Sequence, residues 1–204
     1  MIAILNYGIG NILSIKNMLR KIGHESIVAS SAEDVQSASK IILPGVGNFD
    51  YGMKMLREAS FFKTFEKRAI TDHIPVLGIC LGAQMLLEKS EEGTEKGLGY
   101  IRGICKKFDK SKMEQHLPIP NMGWADVHFI KQTQLNHEIT GIPRYYFVHS
   151  YHLCCDQKED ELAIAEYGHP FTAAISRGNI YGFQFHPEKS HKFGMEILNN
   201  FAQL

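Results

Sequence analysis

Residues 75–89 read Pro75-Val76-Leu77-Gly78-Ile79-Cys80-Leu81-Gly82-Ala83-Gln84-Met85-Leu86-Leu87-Glu88-Lys89. The run up to Ile79 is apolar and bounded by proline, as a buried strand requires, and a helix is expected from Leu81 to Lys89. Between them, Gly78-Ile79-Cys80-Leu81-Gly82 has the form of a nucleophile elbow with cysteine in place of serine. Such a strand-to-helix turn lifts its central residue off the sheet, and flanking glycines let backbone approach closely. Cys80 would open a helix, where partial positive charge favours thiolate over thiol. The Leu81 N–H would point to where an oxyanion develops. A buried structural thiol is the competing reading of these five residues.

Working outward from this stretch, short apolar runs alternate with helical periods. Residues 1–5 form a strand, and Ile12, Ile15, Leu19 and Ile22 recur at helical spacing with Gly23 just beyond. Ser26–Ala29 and Ile41–Leu43 are further strands, and Pro44-Gly45 stops the second. Helical stretches at Phe49–Leu56 and Phe61–Thr71 lead back to the elbow. This alternation indicates βαβ units, with sites at the carboxyl ends of the strands. Downstream, strands are expected at Tyr100–Phe108, Trp124–Ile130, Tyr145–Leu153, Leu162–Tyr167, Thr172–Ser176 and Ile180–Phe185. Ser190 could cap a last helix whose apolar face is Phe193, Ile197, Leu198 and Phe201. With no repeat or linker, residues 1–204 read as one α/β domain. Its central sheet is mixed, mostly parallel, and flanked by helices.

Composition narrows the class of function. The chain has 204 residues, 44% of them hydrophobic, and its 22 Lys+Arg balance 22 Asp+Glu. Zero formal charge gives no electrostatic reason to expect nucleic acid. No apolar run approaches a membrane span, and Met1–Leu5 is too short for a signal-peptide core. A cytoplasmic location without membrane contact is therefore expected, and the four cysteines read as thiols.

A cysteine nucleophile needs a base and a group to orient it. His186-Pro187-Glu188, at the end of Ile180–Phe185, offers both: His186 to move the proton and Glu188 to hold the tautomer. A second oxyanion donor could come from Pro44-Gly45-Val46-Gly47, where glycines permit a peptide to flip its N–H inward. Two lures fail. Gly8-Ile9-Gly10 lacks the third glycine of a dinucleotide loop, since Leu13 stands there. His149, His152, Cys154 and Cys155 look metallophilic, but on one continuous strand residues an odd number apart face opposite sides, so no metal is expected.

Together these pieces resemble class I glutamine amidotransferases, and within that family the glutaminase subunits of imidazole glycerol phosphate synthases. The resemblance is carried by NYGIGN (6–11), LPGVGNFD (43–50), VLGICLGAQMLLEKSEEG (76–93), GLGYIRG (97–103), MGW (122–124), YFVHSY (146–151) and FQFHPEKS (183–190). It implies hydrolysis of L-glutamine to glutamate and ammonia, without a cofactor. By motif match, Cys80 is the nucleophile, His186 the acid and base, and Glu188 the orienting carboxylate. Val46, Gly47 and Leu81 match the oxyanion loops. Gly45, Gln84, Glu92, His149, Ser150 and Tyr151 match the glutamine pocket. Asn6, Asn11, Trp124 and Lys189 match the side that faces an ammonia-accepting synthase subunit, so a heterodimer is expected.

The leading acceptor is the imidazole glycerol phosphate synthase of histidine biosynthesis. The alternative is a sugar amidotransferase that makes an acetamidino group in surface-polysaccharide synthesis. His152-Leu153-Cys154-Cys155 after Tyr151, where a second tyrosine is expected, and Ser190–Gly194 pull toward that alternative. Two further readings carry less weight. A non-catalytic relative would have lost Cys80 or His186, and a cysteine peptidase would lack the glutamine-pocket match.

Overall fold

Ile2 and Ile4 pack on one side of the sheet, Ala3 and Leu5 on the other. The alternation is that of a strand buried on both faces, which is why Ile2–Leu5 carries no polar residue. The computed structural model describes residues 1–113 and 117–204. In chain order the elements are β1 (Ile2–Leu5), α1 (Ile12–Lys21), β2 (Ser26–Ala29), α2 (Ala32–Ser37), β3 (Lys40–Leu43), α3 (Phe49–Glu58), α4 (Phe62–Glu66), β4 (Val76–Ile79) and α5 (Leu81–Met85). There follow β5 (Lys89–Ser90), β6 (Gly103–Lys107), β7 (Asn121–Asp126), β8 (His128–Phe129), β9 (Arg144–His149), β10 (Tyr151–Cys155), β11 (Glu161–Tyr167), β12 (His169–Arg177), β13 (Ile180–Phe183) and α6 (His191–Gln203).

Among the described residues, eleven strands join one mixed sheet, with β2-β1-β3-β4-β13-β12-β10-β6-β5 as its path and β11 and β8 branching from β12. Pairing is parallel from β2 through β13 and antiparallel from β13 to β6. β7 and β9 form a separate antiparallel ribbon. One core face holds Phe49, Met53, Leu56 and Phe65 of α3 and α4; the other holds Ile15, Leu19, Ile197, Leu198 and Phe201 of α1 and α6.

Gly23, at φ +84°, ends α1 as the spacing suggested: its N–H bonds Arg20 O and the His24 N–H bonds Leu19 O. Several expected elements are corrected. The helix from Leu81 stops at Met85, because carbonyls of residues 85–88 accept N–H bonds from Gly97, Leu98, Gly99 and Ile101. The expected strand Tyr145–Leu153 is two strands that bend at Ser150 and belong to different sheets. Trp124–Ile130 is likewise divided between β7 and β8. Ser190 stands at the start of α6 but its hydroxyl makes no cap. It donates to the His186 carbonyl at 2.6 Å and accepts from Tyr146 N–H at 2.9 Å.

Candidate active site

β4 and β13 are adjacent parallel strands, with Ile79 opposite Phe183, so Cys80 and the segment leading to His186 leave the sheet at the same edge. Cys80 takes φ +53° and ψ −109°, a region that a non-glycine residue occupies only when its surroundings hold it there. The Cys80 N–H bonds the Phe183 carbonyl at 2.7 Å, and the Gln84 N–H bonds the Cys80 carbonyl at 3.1 Å. Both elbow glycines are sterically required. A Cβ on Gly82 would stand 1.9 Å from the Leu43 carbonyl oxygen, and one on Gly78 would stand 2.6 Å from the Gly82 oxygen. The Leu81 N–H lies in the first turn of α5, where no intrahelical acceptor exists.

Behind the elbow, His186 Nδ1 and Glu188 Oε1 are 2.8 Å apart, and both side chains are 1% exposed. A carboxylate can only accept, so Nδ1 carries the proton and Nε2 is the nitrogen left for chemistry. The Nε2 atom is buried and has no hydrogen-bond partner among the described residues. Burial disfavours a charged imidazole here, but the neighbouring Cys80 sulfur, as thiolate, and Glu188 outweigh it and raise the pKa to about 10. The arrangement therefore favours a proton on His186 beside the sulfur.

Cys80 and His186 line a cavity of about 250 Å³ with Val46, Gly47, Leu81, Gln84, Glu92, His149, Ser150 and Tyr151. All of these are residues singled out in the sequence. Gly45 stands in the wall behind, where a Cβ would meet the Gly82 nitrogen at 2.5 Å. Gly47 has φ +103°. Among the described residues, neither the Val46 nor the Gly47 N–H has a protein acceptor. Glu92 Oε2 accepts the Phe49 N–H at 2.8 Å, which leaves the second oxygen for a cation.

His149 is held neutral. Asn121 Nδ2 donates to its Nε2 at 3.1 Å, so Nδ1 carries the proton and meets the Tyr151 carbonyl at 2.8 Å. Burial, partly offset by that carbonyl, drops its pKa to about 3. His149 and His152 do not face opposite sides as expected of one continuous strand: the bend at Ser150 lets both pack on Phe108, with centroids at 5.2 and 4.9 Å. No group of three or more metal-type ligands occurs among the described residues. Pro120 and Val148 also line the cavity, and no local signal marked them. Gln184, fully buried beside Cys80, was missed as well, although its place two residues before His186 could have drawn attention.

Of the residues matched to a partner-facing side, Trp124 is 40% exposed and stacks on His191, 5.5 Å between centroids. Tyr146 lies edge-on to Trp124 at 6.1 Å and beneath the Lys189 ammonium at 5.5 Å. Asn6 is exposed, and Asn11 precedes α1 without making a side-chain cap.

A cysteine at a strained strand–helix elbow, beside a His–Glu pair that follows the adjacent parallel strand, is the arrangement of an α/β fold that can support thiolate attack on an amide or ester. The family model for glutamine amidotransferase class-I matches residues 3–204, and the chain belongs to that family. It is 47% identical over 203 residues to imidazole glycerol phosphate synthase subunit HisH 2 of Methanococcus maripaludis, covering 100% of this chain and 99% of that protein. It is 45% identical over 208 residues to the HisH 2 subunit of Pseudomonas aeruginosa, with 100% of both chains covered. A solved glutamine amidotransferase superposes with a TM-score of 0.75 at 18% identity, over 100% of this chain and 99% of that one, as a likeness of fold.

Proposed function

We propose that this chain is the glutaminase subunit of an imidazole glycerol phosphate synthase, releasing ammonia from L-glutamine for a partner subunit in histidine biosynthesis. The observation that carries the chemistry is the cavity holding Cys80, His186, Gln84 and Glu92 together. Full-length identity to subunits of that name supports the pathway. The sugar-amidotransferase alternative is not favoured, because its case rested on a few residues around Tyr151 and Ser190, against similarity over the whole chain.

In this reading the Cys80 sulfur attacks the side-chain amide carbon, and the carbonyl oxygen gathers charge against the N–H groups of Leu81 and the Val46–Gly47 loop. His186 gives its proton to the departing nitrogen, so ammonia leaves and a thioester remains. Water, giving a proton back to His186, then cleaves the thioester and releases glutamate with the thiol restored. Glu188 keeps the imidazole oriented through both steps. The free oxygen of Glu92 would meet the α-ammonium of glutamine. Trp124, Lys189, Asn6 and Asn11 belong to the face that docks the synthase subunit, giving a heterodimer.

Replacing the nucleophile tests this directly. Cys80→Ala should lower glutamine hydrolysis by ~10⁴-fold or more while the partner still reacts with added ammonium salt. Residual glutaminase activity above about one percent would remove Cys80 from the role.

A further inference from the structure

Gln184 is 0% exposed and stands between the elbow and the pocket wall. Its Nε2 approaches Cys80 Sγ at 3.9 Å, and its Oε1 accepts from Gln84 Nε2 at 3.2 Å. Gln84 Nε2 also donates to the Tyr151 carbonyl at 3.0 Å. A backbone carbonyl can only accept, so the Gln84 amide must turn its nitrogen this way. That nitrogen then requires the oxygen of Gln184, which leaves the Gln184 N–H as the end presented to the sulfur. The orientation of each amide is thus fixed by its partner, starting from a main-chain group of β10.

A neutral thiol gains little from a donor at this distance. A thiolate gains more, because hydrogen bonds to charged acceptors are about twice as strong as neutral ones. We propose that Gln184 is a positioning residue for the nucleophile, its amide held by Gln84 and the Tyr151 carbonyl so that it supports negative charge on the Cys80 sulfur. This rests on the reading of Cys80 as the nucleophile. Because β10 also contributes Tyr151 to the cavity, the chain of amides ties the state of the sulfur to the wall that glutamine would touch.

The test is the pH profile of Cys80 alkylation in the full-length chain. Iodoacetamide reacts with the thiolate, forming a thioether and expelling iodide, and peptide mass mapping separates Cys80 from Cys105, Cys154 and Cys155. Gln184→Met keeps the volume and removes the donor. It should move the onset of Cys80 alkylation upward by about one pH unit, a roughly tenfold lower rate on the acid side. Gln184→Glu, which sets a carboxyl against the sulfur, should move the onset at least as far. An onset unchanged in a folded Gln184→Met protein overturns the proposal. If that variant does not fold, an unchanged onset in Gln184→Glu does the same. Failure of the underlying reading is distinguishable, since it would show as glutaminase activity surviving in Cys80→Ala, whatever the alkylation profiles.

Discussion

Three buried histidines are driven to opposite protonation states by their surroundings. Burial lowers His149 to about 3 and His152 to about 4, whereas Cys80 and Glu188 hold His186 at about 10 against burial. Below the unfolded histidine value of about 6.5, the unfolded chain takes up protons at His149 and His152 that the native protein refuses. Stability should therefore fall as pH drops from about 6.5 toward 4, by up to about 1.4 kcal/mol per pH unit for each histidine. His186 works in the other direction: the native state holds its proton longer, and that stabilisation is fully present below about 6.5 and is lost as pH rises toward 10. Urea unfolding across pH 5–10 should give a maximum near neutrality. Cys80→Ala should flatten the alkaline limb, since the sulfur contributes to raising His186. A stability independent of pH between 5 and 6.5 would contradict the neutral, buried assignment of His149 and His152.

At the level of elements, α2 is a six-residue helix held at its start by a reciprocal cap. Ser31 Oγ accepts the Asp34 N–H at 3.2 Å, and Asp34 returns a bond to the Ser31 N–H at 3.0 Å. Ser31→Ala should cost about 1 kcal/mol and lower the melting temperature by about 2–4 °C, read by calorimetry. Its serine–aspartate spacing was a visible signal, but the stretch has only Val35 as a buried apolar anchor, so periodicity passes over it. Most of the candidate site was legible for the opposite reason: Gly78-Ile79-Cys80-Leu81-Gly82 and His186-Pro187-Glu188 are two short motifs, each constrained by its own local backbone geometry. What stayed hidden depends on distant chain. The early end of α5 is imposed by N–H groups of residues 97–101, and the bend at Ser150 separates strands that pair with different neighbours. Gln184 makes its meaningful contacts across 100 and 104 positions.

Over the whole molecule, the loop that would complete the oxyanion site is tied to the surface expected to dock a partner. The Tyr7 hydroxyl donates to the Pro44 carbonyl, and a Cβ on Gly10 would stand 2.7 Å from Pro44 Cβ, so residues 6–11 bear on the start of the Gly45–Gly47 loop. Val46 is 43% exposed, and no atom stands within 4 Å of a Cβ built on Gly47, so the far end of the loop has room to reorient. The isolated chain should accordingly be a poor glutaminase, gaining ~10²–10³ in rate when an acceptor-loaded partner aligns the Val46–Gly47 peptide. Steady-state kinetics with and without the partner check this, and equal rates would rule the coupling out. Finally, the spacing of Cys80 and His186 is written in the register of two neighbouring parallel strands, Ile79 against Phe183. Nearly all the chain between them returns through other elements before β13 is laid beside β4. Insertions in those connections would leave that register untouched, while one residue lost within either strand would turn Cys80 or His186 to the wrong face. The connections are thus free to lengthen while the distance across the pair stays set by the sheet.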